Sequence, residues 1–200
     1  MARLKLSILI CTTHVRTRTF LPALLDILEK QKDPYVEVLW LGDFMQMSVG
    51  EKRNRLMNAA RGDFITFVDD DDRVTPDYKP QLLRHIDLGV DLVCFQAIYR
   101  QKGQPEKIVH YDANFTMDKN FPTYFERLPN HLMCVKRELA LKVPFINKSF
   151  AEDQDYAKRL KSVLIKNGSS QVVIKKPLYY YDFSFQTSLT QGGGAKRGRR

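Results

Sequence analysis

An apolar, β-rich run over residues 4–10, LKLSILI, opens the chain and stops at the polar segment CTTHVRTRT. Phe20, Leu24, Ile27 and Leu28 then recur at helical spacing with Pro22 in the first turn, so a helix is expected from Thr19 through Gln31. A second strand is expected over residues 35–42, YVEVLWLG, ending at Asp43. Ser48 and Glu51 form an S-x-x-E capping pair that opens a helix to about Ala60, with Gly62 just past its end. Residues 63–68, DFITFV, are apolar at nearly every position, the pattern of a parallel strand covered on both faces. Four consecutive acids, Asp69–Asp72, follow, and Thr75-Pro76 opens a further helix that Gly89 terminates.

Strand and helix alternate through the first 90 residues, which predicts an α/β protein with a Rossmann-like, doubly wound and mostly parallel sheet. Ligands of such sheets bind beyond the carboxyl ends of the strands. The Thr12–Thr13 loop, Asp43 and the acidic run are therefore expected on one edge. The second half is less regular, a small mixed region. Residues 91–100 and 106–115 flank QKGQP as a hairpin, residues 131–135 suit a strand, and residues 171–183 suit a closing strand. Residues 152–166 form a helix that turns Tyr156, Leu160 and Val163 to one face.

No run of about 18 apolar residues is present, so no transmembrane helix is expected. Cys11, Cys94 and Cys134 are odd in number and widely spaced, which predicts reduced thiols, a cytoplasmic setting and no zinc site. The net charge is +9, of which Lys196, Arg197, Arg199 and Arg200 supply four. Residues 190–200 are expected to be a disordered basic tail, able to meet nucleic acid or an anionic membrane surface.

The acidic run carries the chemistry. Adjacent carboxylates repel unless a cation lies among them, and a hard divalent ion such as Mn²⁺ or Mg²⁺ is the usual one. An EF-hand is excluded, because the required glycine is Val74. Asp70, Asp72 and Val74 also fit the D-x-D-x-V pattern of aspartyl-nucleophile phosphatases, although two strand–helix units precede them here. A nucleic-acid-binding protein using its basic surface is the third reading, carried by QKGQPEK and the tail alone.

The stretch LSILICTTHVR…VEVLWLGD…SVGEKRNRLMNAARGDFITFVDDDDRVTPDY resembles the nucleotide-sugar half of GT-A glycosyltransferases of the family 2 type, and FAEDQDYAKRL resembles that family's acidic helix start. The resemblance implies a metal-dependent inverting glycosyltransferase with a nucleotide-sugar half over residues 1–90 and an acceptor half over residues 91–189 of one domain. It implies that Thr12, Thr13 and Asp43 hold base and ribose, and that Lys52 or Arg53 lies near base or phosphates. Asp70 would contact the ribose, Asp69 and Asp71 would hold Mn²⁺ or Mg²⁺, and Asp153 would be the general base. The donor would be a nucleoside-diphosphate sugar, a UDP-sugar favoured. The acceptor is open: a glycan, a lipid-linked sugar met by peripheral membrane contact, or a modified base in phage-type DNA. His131 and Glu152 are weaker acceptor-side candidates. Ordinary roles compete at each position: a core histidine at His131, dipole complementation at Glu152 and Asp153, sheet packing for Tyr179–Tyr181, and an exposed helix face for Lys52, Arg53 and Arg55. Spacing along the helix over residues 152–166 predicts Asp153 inward with Tyr156, and Glu152 at the margin.

Overall fold

The computed structural model describes residues 3–183. Its elements are β1 (Leu6–Thr13), a 3-10 turn (Arg16–Arg18), α1 (Leu21–Glu29), β2 (Val36–Asp43), α2 (Val49–Ala59), β3 (Phe64–Phe67), β4 (Arg73–Val74), α3 (Tyr78–Ile86), β5 (Leu92–Gln101), β6 (Lys107–Tyr111), β7 (Lys119–Asn120), β8 (Tyr124–Arg127), β9 (Cys134–Lys136), α4 (Arg137–Ala140), α5 (Glu152–Lys166) and β10 (Gln171–Phe183). The described strands form one sheet in the order β2-β1-β3-β9-β5-β6-β8-β7, with β10 pairing β5 and β4.

β1 is the spine of the first half. It pairs β2 and β3 in parallel, with Leu6 opposite Val36 on one side and Phe64 on the other. Leu6, Ile8, Leu9 and Ile10 are fully buried, as continuous apolarity requires of a strand covered on both faces. β1 runs on to Thr13, three residues past the apolar run, because its pairing with β2 continues through Thr13↔Asp43. β9 is antiparallel to both β3 and β5, so β5 and its parallel partner β10 point the same way as β1–β3. The carboxyl ends of these strands share one edge.

Several local expectations shift. The first helix is shorter than expected, Leu21–Glu29, and a separate 3-10 turn precedes it at residues 16–18. The α3 helix begins at Tyr78, after Thr75-Pro76. The hairpin of β5 and β6 is present, with Ala97 opposite Val109. The strand expected over residues 131–135 lies at Cys134–Lys136. Ser48 caps α2 by accepting from the Glu51 N–H at 3.0 Å. Gly62 is not a left-handed cap. A Cβ there would lie 2.6 Å from the Leu6 carbonyl carbon and Ser7 nitrogen, so glycine permits the chain to reach β1. The basic tail, residues 190–200, lies outside the described residues.

Among those residues no helix is long and apolar enough to cross a membrane. Cys11, Cys94 and Cys134 are unpaired.

Candidate active site

The acidic run is built as a turn at the end of β3. Val68 still donates to the Leu9 carbonyl at 3.0 Å, after which Asp72 N–H folds back onto the Asp69 carbonyl at 3.1 Å. A turn fans successive side chains apart, so the four carboxylates find four different surroundings.

Asp72 turns inward. It is 3% exposed and accepts from the Tyr179 hydroxyl at 2.7 Å and the Asp182 N–H at 3.0 Å. Burial and the charges of Asp69 and Asp71 push its carboxyl well above the usual range. Asp70 is equally buried and accepts from the Thr12 hydroxyl at 2.6 Å and from Arg16 Nη1. Burial dominates there too and pushes it up to about 6, against the opposing pull of Thr12 and Arg16. Asp71 is more open and accepts from Arg16 Nη2 at 2.8 Å; burial raises it as well. Asp69 differs. Burial opposes its charge, yet His131 and Arg53 hold it far below the usual range, so it is the firmly ionised member.

The cations come from two elements, the 3-10 turn and α2. Arg16, on the 3-10 turn, is 7% exposed and bridges Asp70 and Asp71. Arg53 on α2 reaches Glu152 at 2.8 Å and Asp69 at 3.3 Å, with its guanidinium over the Phe67 and Phe145 rings. Lys52 donates to the Thr12 carbonyl and to Asp43, both at 2.8 Å. These are not solvated helix faces: Lys52 and Arg53 are each 3% exposed. Arg55, in contrast, is an exposed residue paired with Glu51 one turn away.

A cavity of about 120 Å³ opens among them, lined by Cys11, Thr12, Arg16, Lys52, Arg53, Asp69, Asp70, Asp71 and Glu152 from the first-half elements and α5, with Tyr181, Asp182 and Phe183 from β10. Thr13 and Asp43 do not line it. Both Asp43 carboxylate oxygens are engaged, by Lys52 and by the Met47 N–H at 2.7 Å, and this holds its carboxyl below the usual range against the effect of burial. Asp43 therefore orients Lys52 beneath Thr12. Asp70, expected to contact a ribose, lines the cavity with its carboxylate paired to Thr12 and Arg16.

A second cavity of about 200 Å³ adjoins the first and shares Asp69 and Tyr181 with it. Its wall carries Asp153, His131, Asp118, Arg127, Tyr99 and Phe125. His131 is buried, its Nε2 3.3 Å from Asp69 and its Nδ1 without a hydrogen-bond partner. The inward rotation expected of α5 needs correction. Glu152, not Asp153, is the buried acid, at 4% exposure, because Arg53 draws it in; Asp153 is half-buried on the second cavity. Leu164 rather than Val163 completes the fully buried face.

Arg16 is not among the site residues expected from the sequence, and sheet packing rather than sugar stacking is the role expected there of Tyr181. The charge imbalance of the acidic run demands a cation, and Arg16 lies in the loop that topology places opposite; no local pattern separates it from Arg18. The three tyrosines divide: Tyr179 is buried under Asp72, Tyr180 lies beneath Arg73 and Arg100, and Tyr181 faces both cavities.

Comparison with solved structures identifies the fold as that of GT-A glycosyltransferases. TarS of S. aureus superimposes with a TM-score of 0.67 over 91% of this chain and 37% of its own, at 18% identity. The mannosyltransferase PcManGT of Pyrobaculum calidifontis gives 0.61 over 94% of this chain and 59% of its own, at 12% identity. Among curated proteins, EpsH of Bacillus subtilis (strain 168), named a glycosyltransferase, is 49% identical over 45 residues, 22% of this chain and 13% of EpsH. The chain thus spans well under two-thirds of EpsH and TarS. The model of the family described as "Glycosyl transferase family 2" matches residues 46–150, more than half of the chain and inclusive of α2, the acidic run and β9, and the chain therefore belongs to glycosyl transferase family 2.

Proposed function

We propose that this chain transfers a sugar from a nucleoside-diphosphate sugar to an acceptor hydroxyl, with inversion and with a divalent cation. One observation carries the reading: two adjoining cavities share Asp69 and Tyr181, the first rich in buried cations and carboxylates, the second bearing Asp153. The first suits a diphosphate, the second an acceptor. TarS has been solved with UDP and with UDP-GlcNAc, and PcManGT with GDP-Man and Mn²⁺, which supports a nucleotide-sugar donor.

The residues fit a divalent ion. Asp69 and Asp71 are hard oxygen donors on the cavity wall, and Asp69 is held ionised. Among the described residues no three His, Cys, Asp or Glu side chains converge as a closed cage. A nucleotide-bound Mn²⁺ or Mg²⁺ needs only one or two carboxylates, since phosphate and water complete its shell. Such an ion, when bound, would offset charge developing on the departing diphosphate.

The other roles belong to the chain. Arg53 faces the phosphates from α2, steadied by Glu152, while Lys52 and Asp43 fix the Thr12 backbone at the nucleotide end. Asp153 accepts the acceptor's proton, freeing the oxygen to attack on the face opposite the diphosphate. His131 keeps Asp69 charged and oriented. Tyr99, Phe125 and Tyr181 offer aromatic faces to a sugar acceptor. A glycan or lipid-linked sugar fits this wall better than a duplex, and the proposed setting is the cytoplasm.

Thermal unfolding with UDP-, GDP- and dTDP-sugars, with Mn²⁺ or EDTA, tests the reading. A UDP-sugar with Mn²⁺ is expected to raise Tm, by the equivalent of about 2.7 kcal/mol at a hundredfold excess over Kd. No shift with any nucleotide sugar in either condition overturns it.

A further inference from the structure

We propose that Arg16 is an internal counter-ion that a divalent cation must displace from Asp71, so that the cation enters with a diphosphate rather than alone; this rests on the donor-site reading above. The guanidinium is nearly buried, lies 5.1 Å over the Phe20 ring, and spends one arm on Asp70 and the other on Asp71. Asp70 is fixed from its other side by Thr12. Asp71 has the more exposed side chain, 21% against 2%, and faces the cavity. The bond from Arg16 to Asp71 is therefore the one that can be exchanged.

The two partners stand on different elements. The carboxylates stand on a turn anchored to β3 and β1. Arg16 stands on a short 3-10 turn closed by Arg18 N–H to the Val15 carbonyl at 3.3 Å and Thr19 N–H to the Arg16 carbonyl at 3.2 Å, beside the 72% exposed Val15.

A dication on Asp71 would meet the guanidinium at contact range, where like charges in a poorly hydrated pocket repel strongly. A diphosphate removes the conflict. It brings negative charge with the ion, and its oxygens match the planar fork that Asp71 releases. Arg16 then holds Asp70 with one arm and phosphate with the other. By linkage, UDP and Mn²⁺ must raise each other's affinity by the same factor.

Free-Mn²⁺ electron paramagnetic resonance, with and without UDP, reads this directly. In the wild type, UDP is expected to tighten Mn²⁺ binding about tenfold or more. Arg16→Gln is expected to bind Mn²⁺ alone more tightly than wild type, to bind UDP more weakly, and to lose most of the coupling. Should Arg16→Gln fail to fold by circular dichroism, Arg16→Lys, which cannot bridge both carboxylates, must also tighten Mn²⁺ binding without UDP, by less. Wild type that binds Mn²⁺–UDP while the variants bind Mn²⁺ alone no tighter overturns the Arg16 inference. Wild type that binds neither UDP nor Mn²⁺ overturns the donor-site reading beneath it.

Discussion

Adjacent residues here do unlike work because a turn or a helix start sends neighbours in different directions. Glu152 and Asp153 are the clearest pair. Glu152 neutralises the buried Arg53, whereas Asp153 faces the second cavity. Asp153→Asn keeps shape and removes basicity, so turnover is expected to fall by roughly 10²–10⁴ with UDP affinity near wild type. Glu152→Gln instead leaves a buried guanidinium short of charge. It is expected to cost roughly 1–3 kcal/mol of stability and to weaken donor binding, with a smaller effect on turnover at saturation. Calorimetric UDP binding beside turnover for both variants separates the two roles; an Asp153→Asn enzyme of normal turnover removes Asp153 as the base.

At the scale of elements, two backbone positions and one edge contact set the frame around the site. Ala151 begins α5 at φ 59°, the left-handed region, immediately before Glu152 and Asp153. That conformation costs an L-residue about 1–2 kcal/mol, and glycine's greater freedom when unfolded returns about 0.4–1 of any gain. Ala151→Gly is therefore expected to leave stability unchanged or raise it by up to about 1.5 kcal/mol. Gly62→Ala, with its Cβ against the β1 backbone, is expected to lose about 1–3 kcal/mol. Denaturant titration of both variants checks the pair of signs. Glu37 on the edge strand β2 accepts from Ser7 at 2.7 Å and from the Arg61 N–H and guanidinium. Burial opposes its charge, but these partners hold its carboxyl below the usual range. A depressed carboxyl stabilises the fold above its unfolded pKa, about 4.3, and that contribution is lost as pH falls through the folded value. Glu37→Gln is expected to lower stability near neutral pH and to flatten the acid limb of the Tm–pH curve. An acid limb as steep as wild type's would remove Glu37 from that role.

Across the whole molecule, β10, the last described strand, is brought back to the acidic turn at the site. It lies along β5, pairs β4, and delivers the Tyr179 hydroxyl both to Asp72 and, as acceptor at 3.1 Å, to the Asp69 N–H. One phenol thus links the closing strand to the acidic turn more than 100 residues earlier. Tyr179→Phe leaves a buried carboxyl and a backbone N–H short of partners, and is expected to cost about 1–3 kcal/mol. Because the turn carries Asp69 and Asp71, Mn²⁺-dependent UDP binding is expected to weaken as well. Chemical unfolding and UDP calorimetry measure the two losses; a variant with wild-type stability and binding shows that the turn holds its shape without β10.

The amino-acid sequence by itself determined the parallel half of the fold, because that information is local. Mostly apolar runs at residues 4–10 and 63–68 suit strands covered on both faces, and Ser48 with Glu51 caps a helix wherever its chain lies. Alternation of those elements also placed Thr12 and the acidic run on one edge, and the resemblance of their motifs pointed to the family that the comparison then matched. Tertiary structure decided everything that depends on partners distant in the chain. β9 enters between β3 and β5 as an antiparallel strand from some 70 residues downstream, which no periodicity announces. Asp69, Asp70, Asp71 and Asp72 are identical in sequence and adjacent, yet one is held ionised by His131 and Arg53, two share Arg16, and one is buried under Tyr179. A carboxylate's charge is set by what lies within a few ångströms of it, and only the folded chain brings residues 16, 53, 131 and 179 to that distance.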